Sequence, residues 1–189
     1  MKSLRFIPSV VLLSFSTLAF AQSHEHAAAD KPAPSEARKS FDIIKTFAGE
    51  WEGSVTVAEA PKMNGGKMHL SLRVTSRGNA VVHEFQEANT PLDPAKFDHP
   101  VTMLYVDGEQ LNLVHYCDAG NRPHMIGKRS PDGKTVEFTF ADISGSMKTG
   151  YMQHAVFTNI DANQHTEDWT YMMPGDKPMH AHFDLHRLN

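Results

Sequence analysis

The only cysteine of this 189-residue chain stands two residues after a histidine, in the segment LNLVHYCDAGNRP. His115 and Cys117 are the residue types of a general base and a nucleophile, and on a strand they would share one face. That spacing does not by itself create a hydrogen bond, and no oxyanion-hole loop accompanies the pair. The alternatives are a small buried thiol for Cys117 and a hydrogen-bonded core imidazole for His115.

Twelve histidines raise the question of a metal site. His180, His182 and His186 alternate with apolar residues, so a strand would place them on its outer face. Two histidines at i and i+2 can share a divalent ion, but a tight zinc site needs further ligands that converge from elsewhere. His24 would chelate Cu(II) only as the third residue of a processed chain with an uncyclised Gln22. We therefore predict solvated histidines and assign no metal ligand.

Strands carry almost all of these residues. In KMHLSLRVTS, residues 67–76, apolar and polar side chains alternate, which indicates a sheet with one buried face. The dipeptide Asp107-Gly108 is a strong hairpin signal between two such runs, and residues 131–133 are a second turn signal between two strands. We count about ten strands without a crossover helix. A meander of this length is predicted to close into an antiparallel up-and-down barrel, an all-β fold.

One short helix precedes the strands. Ala37, Phe41, Ile44 and Ala48 recur at helical spacing, with Ser35 available as the N-cap. Gly49 is the expected stop. The barrel domain is therefore predicted to occupy residues 36–189.

The first residues have the pattern of a secretory signal peptide. Residues 1–21 have a positive start, a short apolar run and a small-x-small ending at Ala19-Phe20-Ala21. Residues 22–35 are polar and rich in alanine and proline, which predicts a disordered leader. We expect an exported protein, periplasmic or secreted, with Gln22 as its first mature residue. The run is too short for a membrane span.

Composition narrows the choice of partners. A net charge of −4 spread along the chain provides no basic field for phosphate backbones, so nucleic acid is not an expected partner. A single cysteine cannot form an intramolecular disulfide. The oligomeric state and any cofactor remain unknown from the sequence.

The segment FAGEWEGSV resembles the Gly-x-Trp opening of the calycin barrels, which include lipocalins and fatty-acid-binding proteins. Gly49 and Trp51 stand at its first strand. In lipocalins an arginine of the last strand packs across that tryptophan, and Arg187 in HFDLHRLN stands where this resemblance would place it. The chain also resembles exported bacterial lipocalin-like proteins of unknown function. The resemblance covers most of residues 40–189 and implies a calycin-like barrel.

Alternation assigns directions to the side chains. His83 shares a row with Val81 and Phe85, and His115 shares one with Leu111 and Leu113, so both imidazoles are expected inside the barrel. Two further rows are each assigned to one face of a strand. One consists of Val136, Phe138 and Phe140, and the other of Trp169, Tyr171 and Met173. An apolar, aromatic lumen with a few fixed polar groups is typical of small-molecule sites.

The predicted function is to hold a small apolar or amphipathic molecule in the lumen. We expect the ligand to contact the following residues: His83, His115, Arg122, Trp169 and Tyr171. Arg122 either belongs to the turn after Cys117 or faces an anionic head group across the barrel mouth. Two alternatives remain open, which are a periplasmic zinc or copper binder and an enzyme that uses the region of His115 and Cys117.

Overall fold

The computed structural model describes residues 33–188, so the predicted signal peptide and most of the predicted leader lie outside the described residues. Within these residues there are one helix and ten strands, and two single-turn 3₁₀ segments lie at Pro61–Met63 and Ser76–Gly78. The elements are α1 (Glu36–Thr46), β1 (Gly49–Val57), β2 (Lys67–Thr75), β3 (Ala80–Glu87), β4 (Val101–Asp107), β5 (Gln110–Tyr116), β6 (Arg122–Arg129), β7 (Thr135–Ser144), β8 (Tyr151–Asn159), β9 (Gln164–Met173) and β10 (Lys177–Arg187).

The ten strands form a closed barrel in which each strand pairs antiparallel with the next, and β1 pairs with β10. The predicted all-β up-and-down barrel is therefore confirmed. Closure removes the exposed sheet edges that a meander of this length would otherwise leave. Among residues 33–188 no helix is long and apolar enough to cross a membrane.

Helix α1 begins where the sequence predicts and ends earlier. The Ser35 side chain accepts a hydrogen bond from the Arg38 amide at 3.2 Å, which caps the helix. The last helical residue is Thr46. Phe47 is the C-cap residue: its backbone amide donates to the carbonyl of Ile44, and its ring is buried. The helix thus ends before Gly49, which instead opens β1 with a φ of 144°. The predicted stop at Gly49 was therefore too late.

Trp51 and Arg187 close the barrel as the resemblance implies. The Arg187 guanidinium carbon lies 4.0 Å from the centre of the Trp51 ring. Arg187 also donates to the carbonyl of Ala48 at 2.7 Å, while the Trp51 indole donates to that of Phe47 at 2.8 Å. A Cβ at Gly49 would overlap the Arg187 guanidinium, so this position requires glycine. These contacts join the end of α1 to the first and last strands.

The inward rows divide the barrel into a packed end and an open end. Helix α1 packs against β4, β5, β6 and β7 and inserts Phe41 and Ile44 into the core. Fully buried Leu111, Val136 and Phe157 lie on inward rows of the strands towards this end. Towards the other end the inward rows line a cavity that is open to solvent.

Candidate ligand-binding site

The cavity at the open end has a volume of about 1000 Å³. It lies between the strand ends and the loops that join β1 to β2 and β3 to β4. Its walls are mostly apolar and aromatic and include the following side chains: Phe85, Phe97, Trp169, Ala181 and Phe183. The size matches the upper range of pockets that hold small organic molecules.

Methionines form much of the remaining wall. Half of the chain's ten methionines line the cavity. They are Met63, Met68, Met152, Met173 and Met179. An unbranched thioether side chain adapts its shape to the molecule it contacts, and such residues are common on surfaces that accept varied partners. The cavity is therefore suited to apolar ligands of more than one shape.

A buried charged network lies beneath the cavity. The Glu167 carboxylate, with no exposure, contacts the Nε2 atoms of His83 at 3.0 Å and His165 at 3.1 Å. It also accepts a hydrogen bond of 2.9 Å from the Trp169 indole. The Trp169 ring in turn forms part of the cavity wall. The network thus fixes the orientation of an aromatic wall residue.

The network keeps Glu167 ionised. Burial by itself raises the pKa of a carboxyl group, but the electrostatic interaction with His83 and the hydrogen bonds from His165 and His83 outweigh it. The pKa of Glu167 is lowered to about 2 as a result. A buried carboxylate of this kind is stable only while its partners remain in place.

His115 is the most buried polar side chain of the cavity wall. Its side chain is only 3% exposed, and its Nδ1 lies 2.8 Å from the hydroxyl of Thr102. Its ring centre is 5.5 Å from that of Trp169. Burial, assisted by the charge of His83, lowers the pKa of His115 to about 3. The imidazole is therefore neutral at pH 7.

The mouth of the cavity carries carboxylates. Asp98 and Asp118 both line it, and the Asp118 amide donates to the Asp98 carboxylate at 3.1 Å. Partial burial and the charge of Asp118 raise the pKa of Asp98. Tyr171 lies nearby and donates to the carbonyl of Thr149 at 2.9 Å, which ties β9 to the loop before β8. With Glu87, three carboxylates and two lysines line the cavity, so carboxylates are in slight excess.

Cys117 is half-buried and also lines the cavity. Burial raises the pKa of its thiol, with smaller contributions in the same direction from Asp98 and Asp118. A raised pKa leaves little thiolate, which is the nucleophilic form. No hydrogen bond joins Cys117 to His115, whose Nδ1 is bonded to Thr102. The thiol is therefore not activated in the way a catalytic dyad requires.

The structure brings three of the five predicted ligand contacts to the cavity wall. His115, Trp169 and Tyr171 line the cavity. His83 points inward as predicted and is fully buried, within 5.7 Å of Trp169 between ring centres, so it supports the wall from behind.

Arg122 takes no part in the cavity. It is exposed at the start of β6 and alternates with the buried Pro123, so its side chain faces away from the lumen. The expectation that Arg122 could face a ligand across the mouth is not supported by this placement. The strand period explains the outcome, because a residue next to an inward proline points outward.

The histidines of β10 lie on the outer face, where they are exposed. His180 is paired with Glu59, and His182 with Asp168, each at 2.6 Å. Within residues 33–188 no group of three or more His, Cys, Asp and Glu side chains is arranged to hold a metal ion. These imidazoles are therefore placed in pairs with surface carboxylates.

Sequence reasoning missed Glu167 and His165, although a signal for them existed. Trp169 and Tyr171 were assigned to one face of β9, and the same period of two continues back to both residues. Acidic residues are rarely buried, so the inward row of β9 was not extended from Trp169 back to Glu167. Two histidine partners on inward rows make that exception possible.

Comparison with known proteins supports the fold alone. No protein-family model matches this sequence, and no curated protein matches it. The crystal structure of Rv2717c from M. tuberculosis is similar, with a TM-score of 0.56 and 14% identity over 79% of this chain and 98% of that one. A protein of unknown function from the DUF3598 family of Nostoc punctiforme gives a TM-score of 0.48 at 8% identity, over 77% of this chain and 49% of that one. A designed fluorescence-activating β-barrel gives 0.34 at 10% identity, over 78% and 98%.

The ten antiparallel strands form a closed up-and-down barrel, and the likeness to Rv2717c supports this fold. The comparisons contain nothing that identifies a lipocalin. The barrel has a cavity compatible with binding a small molecule.

Proposed function

We propose that this protein is an exported binding protein that holds a small, largely apolar molecule in the cavity at the open end of its barrel. The observation that carries this proposal is the cavity itself, about 1000 Å³ in volume, with an apolar, methionine-rich wall and His115 as its most buried polar side chain. A barrel that served only as a scaffold would gain stability by filling this space with side chains.

A rigid floor supports the same proposal. Glu167 fixes Trp169 from below, and Phe85 packs against Phe183 with ring centres 4.7 Å apart. Fixed aromatic walls reduce the entropy that would be lost when a ligand is bound. The adaptable methionines lie around them and can adjust to the ligand's outline.

Export is the second part of the proposal and depends on residues 1–21. Their charge, apolar run and small-x-small ending have the order of a signal peptide. N-terminal sequencing of the protein recovered from the periplasm or medium should begin at Gln22. A chain that retains Met1 in the cytosol of its own host would contradict export.

The two tryptophans provide a local test of binding, because Trp169 lines the cavity and Trp51 lies at the packed end. The variant Trp51→Phe leaves only Trp169, and Trp169→Phe leaves only Trp51. We expect 1-bromooctane, a short-range quencher, to reduce Trp169 fluorescence in a saturable way. Trp51 should show no saturable quenching.

A matched pair of variants on β10 controls for surface adsorption. Ala181 lines the cavity, whereas the next side chain, His182, is on the outer face. Ala181→Phe should fill part of the cavity and weaken the quenching at least about tenfold, while His182→Phe should leave it unchanged. Equal quenching of both tryptophans, or no effect of Ala181→Phe, would count against the proposed site.

A further inference from the structure

We infer that the cavity selects uncharged ligands that carry one hydrogen-bond acceptor, such as an ester or ketone oxygen, placed against His115, and that it discriminates against carboxylates. This inference rests on the proposed binding function and specifies the chemical class of its ligand. It depends on the protonation of one imidazole and on the charges around the cavity.

His115 offers a hydrogen-bond donor to the cavity. The Thr102 hydroxyl has no other hydrogen-bond acceptor among residues 33–188, so it donates its proton to Nδ1 of His115 across 2.8 Å. The neutral ring then carries its own proton on Nε2. This atom has no protein partner in the described part of the chain, and it is not sealed in the core, since His115 lines the cavity. A ligand oxygen is the group that would satisfy it.

The donor is uncharged. Because burial and the charge of His83 hold the pKa of His115 near 3, the ring carries no positive charge at pH 7. A ligand carboxylate would lose its hydration at this depth without gaining an ionic partner. An ester or ketone would lose far less and gain the same hydrogen bond.

The surrounding charges also disfavour an anion. Asp98 and Asp118 line the mouth, and the ionised Glu167 lies below the floor with Trp169 between it and the cavity. Two lysines border the cavity as well. They are Lys62 and Lys96, and they stand against three carboxylates of the lining, Glu87, Asp98 and Asp118. All five side chains are exposed, and the lining has one more carboxylate than lysine. An anionic head group seated at His115 would therefore meet an uncharged donor and a mouth with an excess of carboxylates, while the carboxylate below the floor is already paired with His83 and His165.

An isomeric pair of ligands isolates the effect of ligand charge on affinity. Methyl octanoate and nonanoic acid have the same atoms and nearly the same apolar length, but only the acid is ionised at pH 7. Each would be titrated against the Trp51→Phe variant carrying 1-bromooctane, and recovery of Trp169 fluorescence would report displacement. We expect the ester to bind at least about tenfold more tightly than the acid.

Variants assign the preference to named groups. His115→Leu should weaken the ester about tenfold while 1-bromooctane, which has no oxygen, still binds. His154→Leu is the matched control, because His154 pairs with Glu137 on the outer face at 2.8 Å. Asp98→Asn and Asp118→Asn should each strengthen binding of nonanoate.

The outcomes separate the two claims. If 1-bromooctane quenches Trp169 but nonanoate binds as tightly as the ester, the inference about ligand class is wrong and the proposed function stands. If 1-bromooctane does not quench Trp169, both are wrong. The comparison of the two isomers needs no change at His115, so it remains decisive even if His115→Leu fails to fold.

Discussion

Replacing Glu167 with glutamine should lower the free energy of unfolding at pH 7 by about 3 to 5 kcal/mol. The carboxylate accepts from His83, His165 and the Trp169 indole in a site without solvent access. A glutamine side chain has one acceptor oxygen and turns an NH₂ donor towards groups that are themselves donors. Urea unfolding followed by far-ultraviolet circular dichroism measures the change.

The effect should depend on pH with a definite sign. The pKa of Glu167 is lowered to about 2 in the folded state from an ordinary value of 4.5. A lowered pKa stabilises the folded state fully above about pH 4.5, and this contribution is lost as the pH falls towards 2. The difference between the parent protein and Glu167→Gln should therefore shrink over that interval.

The matched control is Glu137→Gln. Glu137 also pairs with a histidine, His154 at 2.8 Å, but its side chain is 58% exposed. Its replacement should cost no more than about 1 kcal/mol, as is usual for surface pairs. Equal, small effects at Glu137 and Glu167 would show that the buried network contributes no more than a surface pair.

Replacing Trp51 with alanine should cost about 3 to 5 kcal/mol. The Trp51 ring is 1% exposed, and its loss would leave a cavity between His165, whose ring centre is 4.2 Å away, and Arg187. Thermal and urea unfolding of the variant would give the change.

A double-mutant cycle separates the cation–π contact from the burial of the ring. Arg187→Lys keeps a positive charge but loses the planar group that contacts the ring and bonds the carbonyls of Ala48 and Thr46. With Trp51→Phe as the second change, the coupling should be about 0.5 to 2 kcal/mol. Strictly additive effects would show that Arg187 does not stabilise the closure of the barrel through its contact with Trp51.

The architecture could be predicted because its signals are local. The alternation in β2 and the hairpin at Asp107-Gly108 depend on neighbouring residues only, and closure of the meander follows from the cost of free edges. The end of α1 was placed too late because Gly49 was interpreted as a helix stop, whereas it opens β1 and leaves room for Arg187, a contact distant in sequence.

The site could be predicted only in part. His83 and His115 were correctly placed inside the barrel from the period of their strands. Glu167 was missed because its burial depends on His83, which is 84 positions away in the sequence. Arg122 was assigned from its proximity to Cys117 along the chain, but an outward strand position separates it from the cavity. Periodicity gives directions, and only the closed barrel shows which side chains meet.

Native mass spectrometry of the protein purified from its own host tests the central claim most directly. The proposed function predicts a chain that begins at Gln22 with one small organic molecule bound, and Ala181→Phe should abolish the bound mass while His182→Phe retains it. A parent protein that carries no added mass, and that takes up neither 1-bromooctane nor methyl octanoate when these are supplied, would contradict the claim that the cavity is a ligand-binding site.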